Sequence, residues 1–396
     1  MPRPLQGPLK VGVIGVGQRG LQHVEYLSRL QADEEVQLVA LADPYPENLE
    51  EQSIQTRAST YRQGETTLYG SAHQMLQEAE LDAVWFVIAP NLHKGEIQLA
   101  TERGIAIFAE KPQTLFYDEA AQQAKAIRDA GVISTAGFQM RYDPWYVALS
   151  DYTADRAVTS ITMVDGGGVE GHGVKRTHSE DLGGPQNRIW TANRAWSGSS
   201  VVEAGIHQTD LMRYWPHDEI DWVQAAYVER DPSLHNAEGD NPSAYTVVYG
   251  FKRGAVANLI FTRPGRVYLN ERYDYILTTH SQIKFEDELV AYGYQGDEYP
   301  PSERPAAADV RQVLASGPHP NPMGDENSLE LDRKFVEAVT QNRPELLKNT
   351  FESSLNSLAA VLAANVSHEL KGERIYLEEF TTGDRFARYR TRANDQ

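Results

Sequence analysis

Apolar and polar residues alternate with two different periods along the first third of the chain. Leu9 to Ile14 is a short apolar run. A helical pattern follows from Leu21 to Leu30, then a second apolar run from Val36 to Ala42. The rhythm continues with a helix over Ala72 to Glu80, a nearly continuous apolar strand over Ala83 to Ala89 and a helix over Gly95 to Gly104. A strand over Ile105 to Ala109, a helix over Tyr117 to Ala130 and a strand over Val132 to Ala136 complete it. Unbroken apolar strands belong to a sheet covered on both faces, and repeated strand–helix units build a parallel, doubly wound sheet. After Gly137 the period becomes two, in Val158 to Val164, Trp222 to Val228, Tyr245 to Phe251, Ala255 to Phe261, Tyr273 to Thr279 and Gln282 to Phe285. Few helices separate the later strands, and Gly250 to Gly254 reads as a hairpin turn, so a largely antiparallel open sheet is expected. Leu329 to Val339 and Ser353 to Leu370 read as helices that pack back towards the first unit.

The first two strands and their helix carry a chemical signal. The strand ending at Ile14 runs into Gly15-Val16-Gly17-Gln18-Arg19-Gly20, the helix follows, and the second strand ends at Asp43, 23 residues beyond Gly20. This order is the dinucleotide-binding fingerprint. Gly15 permits the tight turn, Gly17 lets a pyrophosphate approach the backbone, and Gly20 lets helix and strand pack closely. The helix N-terminus offers N–H groups and partial positive charge to the phosphates. A carboxylate at Asp43 accepts hydrogen bonds from ribose hydroxyls and repels a 2′-phosphate, and Pro44-Tyr45-Pro46-Glu47 brings no base close by. NAD is therefore expected over NADP. The expected architecture is α/β plus α+β. A Rossmann doubly wound unit spans residues 1–138, and a substrate-binding and oligomerisation unit on the antiparallel sheet spans 139–396.

Composition narrows the partners. The chain has 396 residues, no cysteine and a formal charge of −19. Without cysteine, disulfide scaffolds, thiolate metal sites and cysteine nucleophiles are excluded. The acidic excess argues against nucleic acid or an anionic membrane as partner. Met1 to Pro8 lacks an apolar core and cleavage site. Ala83 to Pro90, the strongest apolar run, is far shorter than the roughly 18 residues of a spanning helix, so a cytoplasmic enzyme of small molecules is expected.

Polar residues gather at strand ends, where such sheets bind ligands. They are Ala89-Pro90-Asn91-Leu92-His93, Glu110-Lys111-Pro112 and Gly137-Phe138-Gln139-Met140-Arg141-Tyr142. With Glu-Lys-Pro at a strand end 90 residues past Gly20, the chain resembles the Gfo/Idh/MocA family of nicotinamide-dependent sugar and inositol oxidoreductases. Glu203-Ala204-Gly205-Ile206-His207-Gln208-Thr209-Asp210 is similar to the family's acid, histidine and aspartate stretch, and on a helix positions 203, 207 and 210 share a face. The sequence departs from the family at Glu203, commonly aspartate, and at Ala89, often threonine. It matches poorly over residues 166–200 and 295–325.

The resemblance implies hydride transfer between a secondary or anomeric hydroxyl and NAD. Histidine titrates near working pH, so His207 is the expected general base. Lys111 would polarise the reacting hydroxyl and stabilise the developing alkoxide. Glu203 would orient substrate or imidazole, and Arg141, Asp210 and Trp190 would contact the substrate. The glycine loop, Asp43, Ala89, Pro90, Asn91, His93, Glu110, Lys111 and Gln139 would hold the cofactor. The alternative reading makes Asn91 and His93 helix caps, and Gln139 and Arg141 a domain-junction network. The family's open sheet implies a homodimer or homotetramer.

Residues 165–200 are glycine-rich and aperiodic, and their length fits a lid over a polyhydroxylated substrate, with Trp190 or Trp196 on the sugar face. His172, His178 and Glu180 show no familiar metal-ligand spacing, and no metal is expected. Gly296 to Gly324 reads as a surface excursion or subunit arm. Two other functions fit the same residues: an NAD-dependent glycosidase or epimerase that oxidises transiently, and a non-catalytic sugar or dinucleotide sensor.

Overall fold

A computed structural model describes residues 7–166, 187–230, 239–263, 272–293 and 310–392, apart from 318, 320 and 322. Its first half alternates β1 (Leu9–Ile14), α1 (Gln18–Ala32), β2 (Val36–Ala42), α2 (Glu51–Arg57), β3 (Thr67–Tyr69) and α3 (Ala72–Glu78). It continues through β4 (Ala83–Phe86), α4 (Glu96–Glu102), β5 (Ala106–Ala109), α5 (Tyr117–Ala130) and β6 (Ser134–Ala136). The six strands lie in the order β3-β2-β1-β4-β5-β6, and every pair is parallel. The order reverses direction at β1, so the crevice beyond the carboxyl ends of β1 and β4 is the topological switch point.

Both faces of this sheet are buried, which is why its strands lack alternation. Val11, Val13, Trp85 and Phe108 face one apolar cluster. Ile14, Val84, Phe86 and Ile107 face another, with Met75, Ile97 and Ile127. The first cluster includes Leu331, Phe335 and Val336, which come from far along the chain.

The second half runs through α6 (Pro144–Thr153), β7 (Val158–Gly166), α7 (Arg194–Ser197), α8 (Ser200–Glu203) and α9 (Ile206–Tyr214). Then come β8 (Ile220–Val228), β9 (Ala244–Phe251), β10 (Val256–Thr262), β11 (Arg272–Thr278), β12 (Ser281–Phe285), β13 (Leu289–Gly293) and β14 (Arg311–Ala315). The chain closes with α10 (Asp325–Gln341), α11 (Leu355–Glu369), β15 (Ile375–Tyr376), α12 (Leu377–Thr382) and α13 (Ala387–Arg390). Nine strands form one sheet in the order β14-β13-β12-β11-β7-β10-β9-β8-β15. All its pairs are antiparallel except β7 with β10. Part of the stretch expected to be a surface excursion is the strand β14, paired to β13.

Residues paired across strands share a face. Ala225, Val247, Leu259 and Met163 form one such row, all buried in the cluster that also holds residues of α9 and α11. The neighbouring row, Ala226, Thr246, Ile260, Val164 and Tyr273, lies on the opposite face, where Ile260 and Tyr273 are exposed. Glycine is required at Gly250 on that face, because a Cβ there would lie 2.0 Å from the Trp222 ring. No described helix is long and apolar enough to cross a membrane.

Candidate active site

The glycine turn closes by contacts that no larger residue permits. Gly15 has φ +93°, and a Cβ on it would lie 2.2 Å from the Val87 carbonyl oxygen. A Cβ on Gly20 would lie 1.8 Å from the Gly15 carbonyl oxygen. Gly17 is the N-cap of α1 and gives the helix no side-chain cap. The turn therefore presents a helix N-terminus at the switch point, which suits an anionic pyrophosphate.

Asp43 ends β2 beside this turn. Its Oδ2 accepts from the Val16 amide at 2.8 Å, and its Oδ1 accepts from the Tyr45 amide and Asn48 Nδ2, each at 3.0 Å. The carboxylate thus ties the glycine turn to the loop after β2.

Glu110 and Lys111 follow β5, and the Lys111–Pro112 peptide is cis. Lys111 Nζ donates to the Glu203 carbonyl at 2.7 Å and to Glu203 Oε1 at 3.3 Å. Glu203 ends α8, which starts from Ser199, whose Oγ accepts from the Val202 amide. The chain then breaks at Gly205, where a Cβ would lie 2.9 Å from Val201 backbone atoms. The new helix α9 carries His207 in its first turn, with the His207 amide on the Ala204 carbonyl at 3.2 Å. The buried His207 ring meets Phe138, just past β6, edge to face at 6.1 Å. Thr209 Oγ1 and Tyr249 OH, 2.9 Å apart, fix α9 to the second sheet. An ammonium and an imidazole from the two halves of the chain are therefore held at the ends of β5 and β6.

Other expected site residues sit as follows. Glu110 is enclosed by the protein: its Oε1 accepts from Arg19 Nε at 2.7 Å and contacts His23 Nε2 at 3.0 Å, and its Oε2 accepts from the Lys111 amide at 3.0 Å. Burial alone would raise the Glu110 pKa, but the charge of Arg19 and the His23 hydrogen bond hold it well below the usual carboxylate range. Arg141 and Asp210 are directed at each other, Nε to Oδ2 at 2.6 Å and Nη2 to Oδ1 at 2.8 Å. Ser357 Oγ donates to Asp210 Oδ1 at 3.0 Å, and Arg141 Nη1 donates to the Lys348 carbonyl at 2.7 Å. Arg141 and Asp210 are thus joined to each other and to the segment Lys348–Ser357.

The loop Ala89–Pro90–Asn91–Leu92–His93 is braced by Arg392, which donates to the Asn91 carbonyl at 3.1 Å, the His93 carbonyl at 3.0 Å and Glu119 Oε2 at 3.0 Å. His93 Nδ1 lies 3.2 Å from Glu96 Oε1. Asn91 Oδ1 and Gln139 Oε1 are buried acceptors without a hydrogen-bond partner among the described residues, as fits loops that receive a polar ligand. Trp190 is half-buried and accepts, through its carbonyl, from the Asn193 amide, while Trp196 is buried. Residues 167–186, with His172, His178 and Glu180, lie outside the described residues, as do the side chains of 187–189.

Sequence reasoning passed over Arg392, His23 and Asp332. Of these, His23 carried a signal: it is a titratable residue between Leu21 and Val24 on a helix.

Residues 9–138 match the family described as GFO_IDH_MocA, an oxidoreductase family with an NAD-binding Rossmann fold. The scyllo-inositol 2-dehydrogenase (NAD(+)) of Bacillus subtilis (strain 168) is 25% identical over 260 residues, covering 65% of this chain and 68% of its own. The apo scyllo-inositol dehydrogenase of Lactobacillus casei superposes with a TM-score of 0.68 at 19% identity, over 94% of this chain and 99% of that one. An Agrobacterium radiobacter oxidoreductase, solved with NAD+, L-tartaric acid and magnesium, gives 0.71 at 14% identity, over 94% and 99%. Over residues 9–138 the chain thus matches the NAD-binding Rossmann unit of this oxidoreductase family.

Proposed function

We propose that this protein is an NAD-dependent dehydrogenase of a polyhydroxylated small molecule, a sugar, cyclitol or related polyol. The observation that carries this reading is Lys111 Nζ fixed on Glu203, four residues before His207, with the preceding Glu110 held by Arg19 of the glycine turn. The glycine turn, Asp43 and the loop around Asn91 fit a dinucleotide. When bound, the nicotinamide supplies the hydride acceptor. Lys111 binds the reacting hydroxyl and stabilises negative charge as it develops on that oxygen. His207 takes the hydroxyl proton as the carbon's C–H bond breaks and its electron pair leaves. Glu203 holds the ammonium in place. The inositol dehydrogenases among the relatives support the substrate class. Residues 1–138 bind the cofactor, and 139–396 supply substrate contacts and the subunit interface.

The test is a screen of sugars, anhydrosugars, cyclitols and glycosides with NAD and NADP at 340 nm. Net NADH with one polyol class is the expected result. Glycoside cleavage without net NADH would contradict it.

Asp43 decides cofactor choice in this reading. Asp43→Ser is expected to raise the KM for NAD about tenfold and to narrow the preference over NADP, by removing both a ribose acceptor and a charge that repels a 2′-phosphate. Steady-state kinetics with both cofactors measure this, and a parent enzyme that prefers NADP would refute the role.

A second copy of the chain covers the open sheet face. Val228, Val256, Ile260, Tyr273 and Val313 are exposed apolar residues of that sheet, more than a monomer commonly leaves to water in one place. Analytical ultracentrifugation is expected to show a dimer or tetramer. Ile260→Lys combined with Tyr273→Lys is expected to shift it to monomer. A monomeric parent would contradict this assignment.

A further inference from the structure

We propose that His23 is a positioning residue, held as an imidazolium between Glu110 and Asp332, that locks the glycine turn and the Lys111 backbone to α10. This rests on the dehydrogenase reading for its catalytic consequence, but not for the charge state itself.

The hydrogen-bond geometry points to a ring protonated at both nitrogens. The His23 ring is fully buried. Nδ1 lies 2.8 Å from Asp332 Oδ2, and Nε2 lies 3.0 Å from Glu110 Oε1. An ionised carboxylate only accepts, and a neutral imidazole donates from one nitrogen alone. A neutral ring would therefore set a bare nitrogen lone pair against a buried carboxylate at one end. Protonating the ring makes both contacts donor to acceptor. The charges then balance: Arg19 and His23 positive, Glu110 and Asp332 negative. Trp85 Nε1 donates to Asp332 Oδ1 at 3.1 Å, and Arg19 Nε donates to Glu110 Oε1. The titratable groups around the ring are Arg19 and Tyr26 on α1, Glu110 and the adjoining Lys111 after β5, and Asp332 on α10. Asp325, also on α10, accepts from the Tyr26 hydroxyl. Burial alone would lower the His23 pKa, but the charge of Asp332 and the hydrogen bonds to Asp332 and Glu110 together raise it.

The placement gives this quartet leverage. Arg19 lies in the glycine turn, and His23 is one helical turn further along α1. Glu110 accepts the amide of Lys111. Asp332 belongs to α10, which the chain adds 309 residues after His23. One imidazolium thus ties together the cofactor turn, the strand end that aims Lys111, and a helix from the second half. Its stabilising contribution is complete below the ordinary histidine pKa near 6.5. It is lost as pH rises through the raised folded value.

The experiment compares His23→Gln with His23→Gln combined with Asp332→Asn. In the single variant the introduced glutamine amide donates to one carboxylate while its oxygen faces the other, leaving a buried charge uncompensated. In the double variant the introduced asparagine can donate its amide to the glutamine oxygen, and the glutamine can donate its own amide to Glu110. The chain of bonds is then restored without either of the two replaced charges. The single variant is expected to lose roughly 5–10 °C in melting temperature. It is also expected to weaken NADH binding, followed by fluorescence titration, and to lower kcat, each by about tenfold or more. The double variant is expected to recover most of both. Nitrogen-15 NMR of the histidine-labelled parent, with His23 assigned by its absence in the variant, is expected to show both ring nitrogens protonated at pH 7. A neutral ring, or a double variant as impaired as the single one, would overturn the proposal. A parent that binds no nicotinamide would instead sink the dehydrogenase reading, leaving the ring's protonation to decide this one.

Discussion

His207→Ala is expected to turn over substrate about 10²–10⁴-fold more slowly than the parent, while NADH binds within about twofold of its original affinity. The split follows from position. The ring sits in the first turn of α9, against Phe138, and the helix is held to the second sheet through Thr209 and Tyr249. The elements that shape the glycine turn, β1, α1 and Asp43 at the end of β2, all lie in the first half of the chain. Removing the imidazole deletes the proton acceptor and leaves the dinucleotide cradle standing. A small fall in kcat would remove His207 from the chemistry. An equal loss of NADH affinity would show that the ring supports the fold. Stopped-flow single-turnover kinetics with a titration of NADH separate these outcomes.

Lys111→Met is expected to lower kcat by about 10²–10³-fold, the scale on which one preorganised donor to a developing oxyanion acts. Methionine keeps most of the stem and removes the charge. The parent ammonium is mostly buried and anchored at 2.7 Å on a backbone carbonyl and 3.3 Å on Glu203 Oε1, so little reorganisation is needed when charge develops nearby. Lys111→Arg is not expected to rescue, because a planar fork cannot take the place of a compact point charge in contact with one carbonyl. Full activity in Lys111→Met would end the electrostatic role. A protein with normal NADH affinity and thermal stability but little turnover is the outcome expected.

The parallel half was legible because each of its features is local. A glycine turn, a continuous apolar strand and an amphipathic helix are visible within windows of a few residues, and the observed Tyr117–Ala130 helix matches the pattern end to end. In the second half the strands with clean alternation were legible and the rest were not. The strand Leu289–Gly293 is buried at three successive positions and has no period of two, and Ile375–Tyr376 is only two residues long. The parallel pairing of Val256–Thr262 with Val158–Gly166 is a contact between distant segments, which no local pattern encodes.

The candidate site divides in the same way. The glycine turn, Asp43 and the two short motifs at Lys111 and His207 stood out by residue type and spacing. What each side chain touches did not. Arg141 and Asp210 are each plausible ligands for a polyol, and only the fold reveals the 2.6 Å bond between them. Asp332 reads as a solvated residue of an amphipathic helix. It is buried because α10 packs on α1, a partner far away in sequence.

A crystal structure of the protein with NADH and a polyol product analogue tests the central claim most directly. The account expects one substrate oxygen within hydrogen-bond reach of both Lys111 Nζ and the His207 ring, with its carbon facing the nicotinamide. A nicotinamide lying away from Lys111, or a substrate oxygen that His207 cannot reach, would contradict it.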